Sequence, residues 1–455
     1  QVFAKGGFDV VIGNPPYGVN FDEKTKSFLS QFDALVPDFE IYIYFISLYT
    51  KILKKDAYLS YIFPNTFLST VFGKKYRRKL LNHINLLEIV DLSNEKVFSD
   101  ASVRTIIFSM KNNSDNYSSQ FKKTVGGEIQ LLETYSKKVV LENHENMASL
   151  FNQTSNEVAV IDKIKQGQSL DYFFEVSQGL IPYDKYRGHD ENTIKNRIWH
   201  STFKKDETFR KELKGADVNA YSVSWNGELW VSYGNWLAAP REPKFFTQER
   251  ILIREITNQR LKCGYTELEY YNTPSLINLI NEKGTINLKY ALCILNSKLI
   301  GWYHNKTSPK ANKGLFPKIL VNDVRNIPLL FNRAEDQQPY IEKADLMLAL
   351  SKELQDIKSK FTRSLQRKFD GLDKLSKKLQ SWHELTYAEF IKELGKKKIK
   401  MSLGDEAEWE EYFLAEQTKA KQLIAEIERT DREIDQMVYK LYDLTDDEIA
   451  IIEAS

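Results

Sequence analysis

Asn14, Pro15, Pro16 and Tyr17 directly follow the apolar run FDVVIG (8–13). Two successive prolines fix φ and remove two backbone donors, so a strand over 8–13 must stop there. The Asn14 carboxamide oxygen and the Pro15 carbonyl oxygen are then two acceptors with few competing donors. Side by side, they can grip both hydrogens of a planar amino group and pull its nitrogen toward tetrahedral geometry. That restores a lone pair otherwise delocalised into a ring. The Tyr17 ring can stack on the base carrying the amine, a contact worth about 1–3 kcal/mol. No ionisable base is needed to start the attack; positioning and oriented dipoles suffice. The plainer alternative is a proline-stiffened turn, which a Pro-Pro pair alone would favour.

Such chemistry requires the motif at the carboxyl end of a strand in an open α/β sheet, where ligands sit. The neighbouring pattern predicts one. FDVVIG (8–13) reads as a buried strand, 40–55 as a helix, AYLSYIFP (57–64) as a strand, and YRRKLLNHI (76–84) as a helix. LLEIVDL (86–92) and VRTIIFSM (103–110) read as strands, with a polar loop over 111–120. This alternation predicts a mainly parallel sheet with covering helices. Residues from about 150 to 330 are richer in aromatics, Gly and Pro, with short strand-like pieces at 228–234 and 250–256. From about 340 the pattern is helical. Met347, Leu350, Leu354, Ile357 and Phe361 repeat at heptad-like spacing, as do Leu423, Ile427, Thr430, Ile434, Met437 and Leu441. Two such helices, separated by a charged segment, predict an antiparallel coiled-coil-like pair; ordinary amphipathic helices fit each one equally well. The expected domains are 1–145, 146–335 and 336–455.

A chain of 455 residues exceeds one ordinary core. Its formal charge of +2 means that any nucleic-acid partner must be met by a local patch. Cys263 and Cys293 match neither a metal-ligand spacing nor a disulfide framework, which fits a reducing cytosol. No long uncharged apolar run suggests a membrane helix. The chain opens on Gln1 almost directly at a strand, which reads as part of a longer polypeptide.

NPPY after FDVVIG resembles the catalytic motif of S-adenosylmethionine-dependent amino-methyltransferases. The following segments resemble adenine-specific DNA enzymes of restriction–modification systems, of the TaqI-like and Eco57I-like type IIG kind. The resemblance implies an α/β Rossmann-like methyltransferase domain, here its C-terminal half only. An α+β DNA target-recognition domain and a helical C-terminal region would follow. It implies Asn14, Pro15, Pro16 and Tyr17 as catalytic residues, with a flipped adenine stacked between Tyr17 and Phe98 of VFSDASVRTIIFSM. Tyr42 and Phe45 fall where an aromatic lines the cofactor's edge. The family's cofactor elements precede the NPPY strand; only seven residues precede it here, and the Gly6–Gly7 pair leads into a strand rather than out of one. The implied partners are S-adenosylmethionine, double-stranded DNA and an upstream part of the same polypeptide that includes a possible nuclease domain. VPDFE (36–40) offers a nuclease-like Pro-Asp, but no Glu-x-Lys follows at a suitable distance. A non-catalytic DNA-specificity module and an RNA or protein amide methyltransferase are the alternatives.

Residues 151–330 hold 25 Lys and Arg against 19 Asp and Glu. The excess concentrates at 296–325, where six basic residues face one acidic. Trp302, Lys306, Lys310 and Lys313 there, and Lys185 with Arg187 in PYDKYRG (182–188), are the expected DNA contacts, because basic loops with interleaved aromatics suit phosphate binding. The resemblance extends through SQGLIPYDKYRG and NSKLIGWYHN, which look like the family's recognition domain, and through the closing helix EIDQMVYKLYDLTDDEIAIIE.

Overall fold

The structure, a computed structural model, describes residues 2–93, 95, 97–98, 103–284, 286–308, 318–331, 333–372 and 374–454. The chain divides into two compact units, 1–163 with 305–314, and 164–304 with 315–455. Residues 146–163 therefore go with the first unit, and the helical C-terminal region goes with the middle of the chain.

The first unit is built on a six-stranded sheet. Its strands are β1 (Phe8–Gly13), β2 (Leu53–Pro64), β3 (Asn85–Asp91), β4 (Thr105–Lys111), β5 (Ser118–Val125) and β6 (Glu128–Ser136), in the order β1-β2-β4-β3-β5-β6. β1 pairs parallel with β2 and β3 parallel with β5, whereas β4 and β6 pair antiparallel with their neighbours. Four strands thus share one direction and their carboxyl ends lie at one end of the sheet. Ile46, Leu59, Phe63, Ile89, Phe108 and Phe121 anchor the core, each at most 2% exposed.

Three features differ from the sequence reading. β1 is not buried: Val10 is 55% and Ile12 79% exposed, because β1 is an edge strand paired only with β2. The helix expected over 40–55 ends at Ile52, and β2 begins at Leu53. Phe8 pairs with Leu53 but Val10 with Tyr58, so β2 carries a bulge, and Asp56 stands at φ +65° within it. The polar loop ends at Tyr117. Strands β5 and β6 follow, joined by Gly126 and Gly127 at φ +60° and +85°, the left-handed pair that a tight hairpin turn requires.

The second unit holds a four-stranded antiparallel sheet in the order Cys263–Thr266, Arg250–Arg254, Leu276–Ile280, Glu175–Gln178. A smaller sheet contains Phe209–Leu213 and Trp230–Ser232. The helices Gln338–Lys368 and Leu403–Leu441 run antiparallel, with Lys343 bound to Glu433 near one end and Lys368 to Asp405 near the other. Met347, Leu350, Phe361, Thr430 and Ile434 of the expected seams are buried. The segment between the helices is more than a charged linker. Its short helices Lys377–Gln380 and Tyr387–Lys396 close an aromatic core in which Phe361 stacks on Trp382 at 3.7 Å. Arg260 ties the sheet side to the long helix by reaching Asp431 at 2.7 Å and Asp435 at 2.5 Å. Among the described residues no helix is long and apolar enough to cross a membrane.

Candidate active site and nucleic-acid interface

The β1–β2 ladder ends at the Gly13–Tyr61 pair. A Cβ on Gly13 would meet the Tyr61 ring at 3.1 Å, so the strand end lies close against that ring. Beyond it Pro15 is buried, Asn14 and Pro16 are exposed, and Tyr17 is half-buried against the first core. Gly18 turns the chain at φ +72°. Among the described residues, neither the Asn14 carboxamide nor the Pro15 carbonyl oxygen has a hydrogen-bond partner. An exposed carboxamide beside an unengaged carbonyl on a proline-stiffened support can accept from a ligand's amino group without first breaking one of the described protein bonds.

The other expected site residues are dispersed. Tyr42 is 3% exposed and stacks on Phe63 at 5.2 Å, with Phe67 edge-on at 6.5 Å. Burial drives its phenol pKa well upward. Tyr42 therefore packs in the aromatic core, because the helix Ile41–Ser47 turns that face onto the sheet, and it also lines a small cavity of about 40 Å³ with Glu40 and Thr66. Phe45 is half-buried against the same core. Phe98 is half-buried in a bend between β3 and β4. No ring contact joins it to Tyr17 or to any other described aromatic.

Arg77 is a residue that the sequence reading missed. It is 1% exposed, and its guanidinium donates to the carbonyls of Phe67 (2.8 Å), His144 (2.6 Å) and Glu145 (2.8 Å). Burial lowers its pKa to about 10. It fixes the loop after β2 to the segment 144–146. In sequence it is one of several cations in a helix, and its partners lie too far along the chain to be read locally.

In the second unit, PYDKYRG forms an exposed turn. Asp184 accepts from the Tyr186 N–H at 2.8 Å and Gly188 closes the turn at φ +91°. Lys185 is exposed and Tyr186 is 96% exposed. Arg187 is partly engaged, donating to the Ala238 carbonyl at 2.6 Å and lying 3.8 Å from Asp184. A buried pair that was not anticipated supports the stem of this loop. His200 Nε2 lies 3.1 Å from Glu212, and its Nδ1 is 2.8 Å from the Tyr183 hydroxyl.

Trp302 and Lys306 depart from expectation. They lie in the helix Lys298–Thr307 and not in a loop. Trp302 is 3% exposed, because Gly301 lets the helix pack directly on the backbone of Gln259 and Arg260. A buried indole cannot meet DNA. Lys306 in the last turn is bound to Glu157 at 2.7 Å. Lys310 and Lys313 lie outside the described residues.

Comparison with known proteins gives these pieces a common setting. Residues 1–98 match the family described as Eco57I restriction-modification methylase, residues 210–329 the TaqI-like C-terminal specificity domain, and residues 333–438 a domain of unknown function. The chain is 26% identical over 354 residues to a protein of Methanocaldococcus jannaschii named as a type II restriction enzyme and methyltransferase, an alignment covering 72% of this chain and 28% of that protein. It is 32% identical over 143 residues to a type II restriction enzyme and methyltransferase of Escherichia coli, covering 28% of this chain and 14% of that protein. The chain thus spans less than a third of either relative. Among solved structures it is similar to the type IIL restriction-modification enzyme MmeI in complex with DNA, at a TM-score of 0.48 and 12% identity, over 97% of this chain and 55% of that one.

Proposed function

We propose, from the premise that the chain joins an Eco57I-like restriction–modification methylase segment to a TaqI-like specificity domain, that it presents the amine-activating loop and the DNA-reading surface of an adenine-N6 methyltransferase. The observation that carries this reading is the Asn14-Pro15-Pro16-Tyr17 loop at the carboxyl end of β1, with Asn14 exposed, Tyr17 half-buried, and neither the Asn14 carboxamide nor the Pro15 carbonyl engaged by a partner among the described residues. An adenine amino group inside a duplex is paired, so the nucleotide must first leave the stack, at a cost of a few kcal/mol. Stacking on Tyr17 offsets part of that cost. The Asn14 Oδ1 and Pro15 carbonyl then take one amino hydrogen each, which localises the nitrogen lone pair for attack on a methyl group. Nitrogen gains the carbon, the carbon's former partner leaves with the bonding pair, and one amino proton passes to solvent.

S-adenosylmethionine supplies the electrophilic methyl in this family's chemistry. In this reading its cleft is left to the longer polypeptide. Tyr42 is committed to the core, and the Gly6–Gly7 pair has a structural role, since a Cβ on Gly7 would meet the Ile52 carbonyl oxygen at 2.5 Å. The chain's own part is to hold the base and its amine and to engage the duplex. The longer polypeptide, with a possible nuclease domain, supplies the remainder in this reading.

The test is Asn14→Ala in the full-length polypeptide, assayed for methyl transfer and for duplex affinity. Transfer should fall by at least about 10²–10³-fold, the loss typical of one oriented stabilising group, while affinity stays within about twofold. Transfer at the parent rate rejects the reading. Retained DNA binding by a parent protein that never methylates DNA favours the specificity-module alternative.

A further inference from the structure

A second polar feature occupies the sheet end that carries the Asn14 loop. Where β2, β3 and β5 end, a cavity of about 310 Å³ opens, lined by Asn65, Asp91, Arg104, Lys123 and Asn146 among others. These three strands run in the same direction, so the cavity sits at their carboxyl ends, the side on which α/β sheets bind ligands.

Among the described lining residues the cations outnumber the one carboxylate, Asp91. Arg104 is exposed and Lys123 half-buried, and neither side chain has an ion-pair or hydrogen-bond partner among the described residues. Asp91 stands beside Lys123 in register but turns a carboxylate oxygen to the Ser93 N–H at 2.9 Å. Lys306 lines the cavity too, with its charge already met by Glu157 at 2.7 Å.

The walls are fixed before any ligand arrives. Asn65 Nδ2 donates to Ser93 Oγ at 2.9 Å, joining the segments after β2 and β3. Arg77 clamps the carbonyls of His144 and Glu145 beside Asn146. Asn146 Nδ2 donates to the Thr307 carbonyl at 2.9 Å, whereas its Oδ1 is buried without a partner among the described residues. An orphaned buried acceptor calls for a polar occupant. Two cations unpaired among the described residues, in a preformed polar cavity, call for an anion, and the space exceeds what a bare phosphate fills.

The geometry points to a subsite for a strand phosphate of nucleic acid, held by Arg104 and Lys123 with its attached nucleoside in the cavity. The inference rests on the methyltransferase reading and extends it. Asn14 would hold the base that reacts, and this cavity would grip the strand beside that base.

The test replaces Arg104 and Lys123 by Gln in the full chain and measures affinity for a duplex of about 20 base pairs by fluorescence anisotropy, from about 50 to 200 mM salt. Losing one phosphate contact should lower the slope of log affinity against log salt by about 0.9 and weaken binding by roughly tenfold at the low-salt end. Lys122→Gln, the neighbouring cation bound to Glu88 at 2.7 Å, is the control for general charge loss and should leave the slope unchanged. The exposed Arg104→Gln alone carries the test if the double variant melts early. A slope equal to the parent's, or a fall no larger than that of Lys122→Gln, overturns the subsite. Inorganic phosphate separates a strand phosphate from a free anion. Tight phosphate binding that the double variant abolishes without changing duplex affinity would also overturn the proposal. Asn14→Ala reads transfer at constant affinity, so failure of the catalytic reading and failure of this subsite give different results.

Discussion

Two segments of the chain look interchangeable as sequence, PYDKYRG and IGWYHNKT. Each combines aromatics, glycine and at least one lysine within a few residues. In the folded protein they are opposites. Tyr186 of the first is 96% exposed on a turn closed by Asp184 and Gly188; Trp302 of the second is 3% exposed in a helix seated on the backbone of Gln259 and Arg260. Glycine makes the difference in both places. In the turn it supplies the left-handed φ that bends the chain into solvent. In the helix it removes the Cβ that would hold two backbones apart. An aromatic residue next to lysines is thus a nucleic-acid signal only where the backbone leaves the ring free, and composition does not report that.

The comparison breaks most sharply on stability. Trp302→Ala should destabilise the protein by about 3–5 kcal/mol through the cavity left behind, a loss visible in chemical denaturation. Trp302→Phe should cost only about 1–2 kcal/mol, because the indole N–H has no partner to lose among the described residues. Parent stability for Trp302→Ala would place the ring on the surface and erase the contrast. Tyr186→Ala should show the reverse pattern, with stability within about 0.5 kcal/mol of the parent and duplex affinity about tenfold weaker, the scale of one lost stacking contact. A melting loss at Tyr186 with unchanged affinity would make the turn a structural element instead.

The same contrast explains what could be read from the sequence. The Asn14 loop was legible because proline's covalent geometry ends a strand whatever surrounds it. β2, β3 and β4 were legible from apolar runs bounded by polar residues. β6 was not, since only Tyr135 of its nine residues is buried and the remainder show no alternation; the adjacent glycines 126 and 127 were the missed signal. Tyr42 carries no local mark that separates a core ring from a ligand contact, and only the fold reveals that it stacks on Phe63. Arg77 sits in a helix and binds carbonyls at 67, 144 and 145, and Arg104 and Lys123 meet at one cavity, only because distant parts of the chain come together. Likewise the aromatic core around Trp382 draws on Phe361 and Phe413, which sit on two separate long helices.

Lys306 gives the smallest and most discriminating prediction. By sequence it belongs with Lys185 among the phosphate-facing cations. In the structure its Nζ meets Glu157 Oε1 at 2.7 Å, while Glu157 Oε2 accepts the Thr154 N–H at 2.7 Å at the start of the helix Ser155–Ile164. One carboxylate therefore serves as both ion-pair partner and helix cap. Lys306→Gln should cost about 1 kcal/mol, typical of a partly exposed pair. Glu157→Gln should cost somewhat more, because it weakens the cap as well. A double-mutant cycle should return a coupling of about 0.5–1 kcal/mol, with the salt slope of duplex binding unchanged in all three variants. Zero coupling together with a slope lowered by about 0.9 would move Lys306 to the DNA-facing set. The two segments would then be alike after all, and the burial of Trp302 would be a local accident of one helix turn rather than the rule that separates them.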